Sequence, residues 1–337
     1  MINRQWLLRR RPVGPATLED FDYRETAIPN RALREGEILL RNQVFLCAPT
    51  MRNWMDPPGN SLYPSIPLGE PVLAPSAGEV IASAHPDFAP GDRATTLGSW
   101  QDWEIIDGAA RAIRAIPESV STLDAMGRFG LNPLTGYFGM LRVGQPVASE
   151  TVVVSGAAGS TGSTAAQVAR IVGCRVIGIA GGRDKCDWLV HECGIDAAID
   201  YKSENVERRL AELCPEGIDV FYDNVGGEIL QAAVENMARH GRIVLCGQIA
   251  SYTSDHQPEG PRNMMRLVYG SIRMQGFLMS DYAVDVPAAL AELQAWAHAG
   301  AIHYREDVRR GFEQIPTIFG ALFDGSNRGT LLVSIAD

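Results

Sequence analysis

The segment TVVVSGAAGSTG at residues 151–162 constrains this chain more than any other. A short β-rich run, TVVVSG (151–156), meets a glycine-rich turn. From Gly162 to Val172 the apolar spacing is helical, through Ala165, Ala166, Val168, Ala169 and Val172. A strand that enters a helix through glycines turns tightly and lets its backbone approach whatever lies beyond the strand end. The first amides of the helix face that point, with the positive end of the helix dipole behind them, so an anion is favoured there. Gly156, Gly159 and Gly162 are spaced GxxGxxG rather than GxGxxG. For the triplet alone, a tight turn without a ligand is the alternative. The flanking sequence decides between the two readings.

That flank alternates. RVIGIA (175–180) reads as a strand, Asp184–Cys193 as a helix and AAID (197–200) as a third strand. A polar helix near 205–213 follows, and IDVFYDNV (218–225), GRIVLCG (241–247) and SIRMQGFLM (271–279) continue the series. Apolar runs alternating with amphipathic helices predict an α/β fold, a doubly wound parallel sheet with helices on both faces. Residues before 122 read differently. GEILLRNQVFLCA (36–48), PVLAPSAGEVIASA (71–84) and SWQDWEIID (99–107) are short strands punctuated by Pro and Gly, which suggests a mainly-β domain of barrel type. The end of the chain, 304–337, returns to short strands and finishes in GTLLVSIA. A chain of 337 residues, 46% of them hydrophobic, exceeds one ordinary core. The predicted division is residues 1–121 with 304–337 as the β domain and 122–303 as the nucleotide domain.

The second strand of the α/β series decides which dinucleotide fits. An NAD site carries an acidic residue about 20 residues beyond the glycine loop, on the ribose hydroxyls. Here that strand ends Ala180-Gly181-Gly182-Arg183, with no carboxylate. Lys185 follows, and Tyr201 comes just after the third strand. A cation and a hydroxyl donor suit a 2′-phosphate, which a carboxylate would repel. The expected cofactor is NADPH, with Asp184 read as a helix cap.

Other chemistries are disfavoured. The formal net charge of −10 argues against a nucleic-acid partner. No unbroken apolar stretch of about 18 residues is present, so no membrane span is expected. The basic opening MINRQWLLRRRP lacks the apolar core and cleavage site of a secretory signal. The six cysteines (Cys47, Cys174, Cys186, Cys193, Cys214 and Cys246) are scattered, as in a reduced cytoplasmic protein with buried thiols. Only Cys47 and His85 lie in the β domain ahead of residue 122, so neither a four-cysteine zinc lobe nor a catalytic zinc site is expected. Without that Lewis acid, the carbonyl acceptor must be polarised through hydrogen bonds.

Several strings together bring a family into view. APTMRNWM (48–55), GLNPLTGYFGML (130–141), VSGAAGSTGSTAAQVARIVGCRVIG (154–178), IDVFYDNVGGE (218–228), GRIVLCGQIASY (241–252) and QGFLM (275–279) span nearly the whole chain. On these strings the chain resembles zinc-independent medium-chain dehydrogenase/reductases of the alkenal and prostaglandin reductase group. The resemblance implies a GroES-like β-barrel domain beside a Rossmann domain, frequently as a homodimer. It also implies reduction of a carbon–carbon double bond conjugated to a carbonyl. Gly159, Ser160, Thr161 and Gly162 would hold the pyrophosphate, and Lys185 and Tyr201 the 2′-phosphate. Asn224 would reach the bound nucleotide. Cys246, Gly247, Gln248, Ile249, Ala250, Ser251 and Tyr252 would pass beside the nicotinamide half. Phe277, Leu278 and Met279 would border its ring, which Asn327 would reach from the other domain.

The expected reaction places hydride on the β-carbon of an enal or enone while negative charge develops on the carbonyl oxygen. A proton then reaches the α-carbon. Tyr269 matches the family tyrosine implied as that donor, and a phenol of pKa about 10 is a workable acid toward an enolate. Packing on a helix is the alternative role for Tyr269; Tyr252, Tyr63 and water are rival donors. Met51, Trp54, Met55 and Tyr63 are candidates for an apolar substrate mouth, with barrel core as the alternative. Two further readings stay open: a quinone reductase of the same fold, and a nucleotide-binding protein without catalysis.

Overall fold

Strand-forming runs open the chain. The computed structural model describes residues 2–59, 65–254 and 260–335. Strands β1 (Ile2–Leu8) and β2 (Phe21–Ala27) pair antiparallel. They are followed by β3 (Glu37–Leu46), the short helix α1 (Met51–Trp54), β4 (Leu73–Ser83), β5 (Arg93–Ser99), β6 (Trp103–Asp107) and β7 (Ile113–Ala115). Helices α2 (Thr122–Met126) and α3 (Leu131–Phe138) lead to β8 (Thr151–Ser155). Helix and strand then alternate as α4 (Ser160–Val172), β9 (Arg175–Ala180), α5 (Arg183–His191), β10 (Ala197–Asp200), α6 (Val206–Leu213) and β11 (Ile218–Asp223). The series continues with α7 (Gly227–Glu235), β12 (Met237–Leu245), α8 (Met265–Gly270), β13 (Arg273–Gly276) and α9 (Val286–His298). The chain finishes with β14 (Glu306–Arg310), α10 (Ile315–Asp324) and β15 (Thr330–Ser334).

Two compact units result. One is Met1–Gly130 with Glu306–Asp337, and the other is Leu131–Arg305. In the first unit a seven-stranded sheet runs β14-β15-β3-β4-β5-β7, with β6 paired to β3. Its ladders are antiparallel except β14 on β15. The C-terminal segment enters its core, where Phe312, Phe319 and Leu332 pack with Trp6, Phe45 and Trp100. The Trp6 indole donates to the Phe312 carbonyl at 3.0 Å, so its buried N–H has a partner.

In the second unit six parallel strands lie in the order β10-β9-β8-β11-β12-β13. Alternate side chains of β8 enter opposite cores. Val152 and Val154 pack with Val176, Val220 and Val244, whereas Val153 packs with Ile177, Phe221 and Ile243. Each of these valines is fully buried, and full burial of such a side chain contributes about 1.5–3 kcal/mol. The continuous apolar runs of the sequence follow from burial on both faces. From β8 the chain winds outward through β9 and β10 on one side. It returns to β11 on the other side and continues to β12 and β13. The reversal puts a crevice beyond the carboxyl ends of β8 and β11, where open α/β sheets bind ligands.

Candidate dinucleotide site

The glycine turn lies at that reversal. Gly156 sits at φ +58°, a left-handed conformation that glycine adopts without strain. Its carbonyl accepts from Gly159 N at 3.0 Å, and Ala157 N donates to Ile179 O at 3.0 Å, so the turn is tied to β9. A Cβ on Gly162 would run into the Gly156 carbonyl and sit 2.9 Å from Ala157 Cα. Both obstacles are backbone, so the helix approaches the turn this closely only with glycine at 162. Helix α4 starts at Ser160 with no acidic residue in its first turn, which leaves its N-terminal field positive. Gly159, Ser160, Thr161 and Gly162 thus lie together at one helix N-terminus.

One strand over, β9 gives way to Gly181 and Gly182, the latter at φ +98° and acting as the N-cap of α5. Asp184 therefore lies inside the first turn rather than at the cap. The Tyr201 ring rests on Gly181: an added Cβ there would lie 2.8–2.9 Å from ring atoms and hydroxyl. Tyr201 is 48% exposed, and Lys185 is half-buried on the first turn of α5.

Asp200, which the sequence reading did not single out, stands at the end of β10. Its Oδ1 accepts from Gly182 N at 2.7 Å and Lys202 N at 3.0 Å, and its Oδ2 from Ser203 Oγ at 2.9 Å. Burial pushes this carboxyl up, but those donors outweigh it and hold the group below its ordinary value. The sequence signal was an Asp directly ahead of Tyr201.

On the other side of the reversal, the Asn224 amide donates to Ser155 O at 2.7 Å, so it is turned toward β8. Residues 246–252 fold onto the end of β11. Cys246 N and Gly247 N donate to Asp223 O at 2.8 and 3.1 Å, Ile249 N to Asn224 O at 3.2 Å, and Ala250 N to Val225 O at 3.1 Å. Within that loop Ser251 Oγ donates to Gln248 O at 2.8 Å, and the Tyr252 hydroxyl accepts from Gln248 N at 3.1 Å. Burial pushes the Cys246 thiol up to about 12.

Phe277, Leu278 and Met279 follow directly on β13. Phe277 is half-buried, its ring 6.3 Å from that of Tyr282, which stacks on Phe138 at 4.9 Å. Leu278 is exposed, and its N–H donates to Asp281 at 3.3 Å. Tyr269, on α8, is 79% exposed. Asn327 belongs to the first unit, where its amide donates to Gly329 O at 3.1 Å. Met51, Trp54 and Met55 correct the reading of a substrate mouth: they are 0%, 7% and 0% exposed and belong to the first unit's core. Tyr63 lies outside the described residues.

These features define a dinucleotide-binding α/β protein joined to an antiparallel β unit. Two family models match it, "N-terminal domain of oxidoreductase" over residues 4–113 and "Zinc-binding dehydrogenase" over 160–295. Among the described residues no group of three or more His, Cys, Asp or Glu is placed to hold a metal ion. The chain is 34% identical to the NADPH-dependent curcumin reductase of Escherichia coli over 341 residues, covering 99% of this chain and 97% of that protein. It is 33% identical to the NADP(+)-dependent 2-alkenal reductase of Nicotiana tabacum, covering 99% and 98%. Among solved structures, CurA of Vibrio vulnificus in complex with NADPH superposes with a TM-score of 0.92 at 36% identity, over 99% of both chains. The chain therefore belongs to the medium-chain dehydrogenase/reductase superfamily, in its zinc-independent group of alkenal, prostaglandin and curcumin reductases.

Proposed function

We propose that the protein is an NADPH-dependent reductase of the conjugated carbon–carbon double bond of enals and enones. The observation that carries the cofactor is the pairing of a glycine-lined helix N-terminus with the end of β9, which passes into Gly181 and Gly182 rather than a carboxylate and carries on Gly181 the ring of Tyr201, just past the neighbouring strand. The residues fit the cofactor. Backbone amides at Gly159–Gly162 suit the pyrophosphate, and Lys185 and Tyr201 suit the 2′-phosphate. Asn224 reaches the nucleotide from the end of β11, the 246–252 loop passes beside the nicotinamide half, and Phe277, Leu278 and Met279 border its ring. The names of the relatives support both the cofactor and the substrate class.

Bound NADPH supplies the hydride received by the substrate's β-carbon. The protein's task is to hold the carbonyl oxygen where hydrogen-bond donors meet its growing negative charge. Loss of one such donor typically costs about 3–4 kcal/mol. The α-carbon then takes a proton from Tyr269, with Tyr252 as the second donor. A homodimer accords with the edge strand β13, whose partner in the sheet is β12, and with Met264, Met265, Val268 and Tyr269 exposed on and beside α8. Six free cysteines accord with a reducing, cytoplasmic setting. Among the described residues no helix is long and apolar enough to cross a membrane.

Incubation with NADPH and separate enal, enone and quinone acceptors, followed at 340 nm with product identification, tests this reading. A saturated carbonyl product is expected. A hydroquinone alone points to quinone reduction, and binding without oxidation of NADPH points to a non-catalytic role.

A further inference from the structure

The carboxylate of Asp223 takes no part in the assignments above. It closes β11 and is 1% exposed. Among the described residues no ion pair engages it. Its Oδ1 accepts from Ser155 Oγ at 2.7 Å, Val225 N at 3.0 Å and Gly226 N at 3.1 Å, and its Oδ2 accepts from Gly226 N at 3.1 Å. Ser155 closes β8, and its hydroxyl in turn accepts from Asn224 N at 2.8 Å. Burial pushes the Asp223 carboxyl up, and the Ser155, Gly226 and Val225 donors pull it back. An apolar side chain would fill this space without the cost of burying a carboxylate that has no cation beside it. Packing alone does not account for an aspartate here.

The hydrogen bonds run in sequence across the reversal between β8 and β11. Ser155 immediately precedes the phosphate turn. The carboxylate grips Ser155 and also folds residues 223–226 into a turn, with Gly226 at φ +75°. The carbonyls of Asn224 and Val225 are thereby aimed at Ile249 N and Ala250 N, and the Asp223 carbonyl receives Cys246 N and Gly247 N. We propose that Asp223 is a positioning residue that sets the 246–252 loop against the phosphate turn, so that both halves of NADPH are met at once. This rests on the assignment of that loop to the nicotinamide half.

The test is a split of affinities in Asp223→Asn. With its oxygen left on Ser155 and Val225, the new amide would aim an N–H at the Gly226 N–H, which Oδ2 now accepts, while the side chain keeps its size. The dissociation constant of NADPH, followed by its fluorescence, is expected to rise at least tenfold. That of 2′,5′-ADP, which occupies only the adenosine half, is expected to stay within twofold. Ser155→Ala, a milder change, should show the same split with a smaller rise, and it carries the test if Asp223→Asn does not fold. Equal loss of both ligands, or loss of neither, would overturn the inference. These affinities are independent of turnover, so an inactive wild-type protein would count against the proposed reaction and leave the split to be read on its own.

Discussion

Replacing Gly181 with alanine should separate NADPH from NADH without unfolding the protein. The added methyl would lie 2.8 Å from Tyr201 Cε1 and 2.9 Å from Cζ and the hydroxyl. Carbon atoms in contact settle about 3.5–4.0 Å apart, so the ring must retreat by roughly 1 Å. The ring is 48% exposed and can retreat into solvent, and Gly181 is not among the left-handed glycines, so alanine fits the backbone there. Stability should therefore change by no more than about 0.5 kcal/mol, as at ordinary surface positions. The phenol would be pulled away from the 2′-phosphate. A hydrogen bond to a charged group contributes about 1.5–3 kcal/mol, so NADPH affinity should fall roughly ten- to a hundredfold. NADH has no 2′-phosphate and should bind unchanged. Fluorescence titration with both cofactors, alongside a thermal melt, measures all three quantities. Unchanged NADPH affinity, or equal loss of both cofactors, would refute this account of Tyr201.

Three further predictions bear on separate residues. Lys185→Ala should weaken NADPH by roughly ten- to a hundredfold and NADH far less, and equal effects would remove Lys185 from the phosphate site. Tyr269→Phe should lower turnover at least tenfold with NADPH affinity unchanged, whereas unaltered turnover would pass the proton to Tyr252 or water. Burial pushes all six thiols up, to about 12 for Cys47, Cys193 and Cys246 and about 11 for Cys174, Cys186 and Cys214. An unfolded thiol titrates at about 8.5, so above that pH the unfolded chain holds fewer protons than the folded one, and stability falls as pH rises. In urea melts from pH 8 to 10 under reducing conditions, Cys47→Ala should flatten that slope by up to about 1.4 kcal/mol per pH unit, and identical slopes would contradict the burial argument.

The α/β half was readable because each central strand is buried on both faces and shows as an apolar run. RVIGIA is β9, and AAID is β10, residue for residue. β12 starts at Met237, four residues ahead of the apolar run. Its polar opening hides a pairing of Met237 with Ile218. In the β half, Arg93–Ser99 is too polar to announce a strand, yet it pairs with β4 along its whole length. Between the last two strands, IPTIFGALFD forms α10. Its apolar run suited a strand equally well, and the proline near its start and Gly325 at its end are the cues that favour a helix.

Within the site, the glycine turn and the lack of a carboxylate at the end of β9 were legible because both are local. The Tyr201 ring on Gly181 and the Asp223 carboxylate on Ser155 were not. Each joins residues brought together only by the lateral order of strands. Met51, Trp54 and Met55 stayed open between pocket and core for the opposite reason, since an apolar residue that lines a pocket and one that fills a core look alike in sequence; the structure takes the core reading.

The most direct test of the central claim follows one deuterium atom. NADPH deuterated at the transferred position of C4 is incubated with the enzyme and an α,β-unsaturated aldehyde, and the product is analysed by NMR. The proposed reaction predicts a saturated aldehyde with deuterium on its β-carbon. Deuterium on the carbonyl carbon of an allylic alcohol, or none in any product while NADPH is consumed, would contradict it.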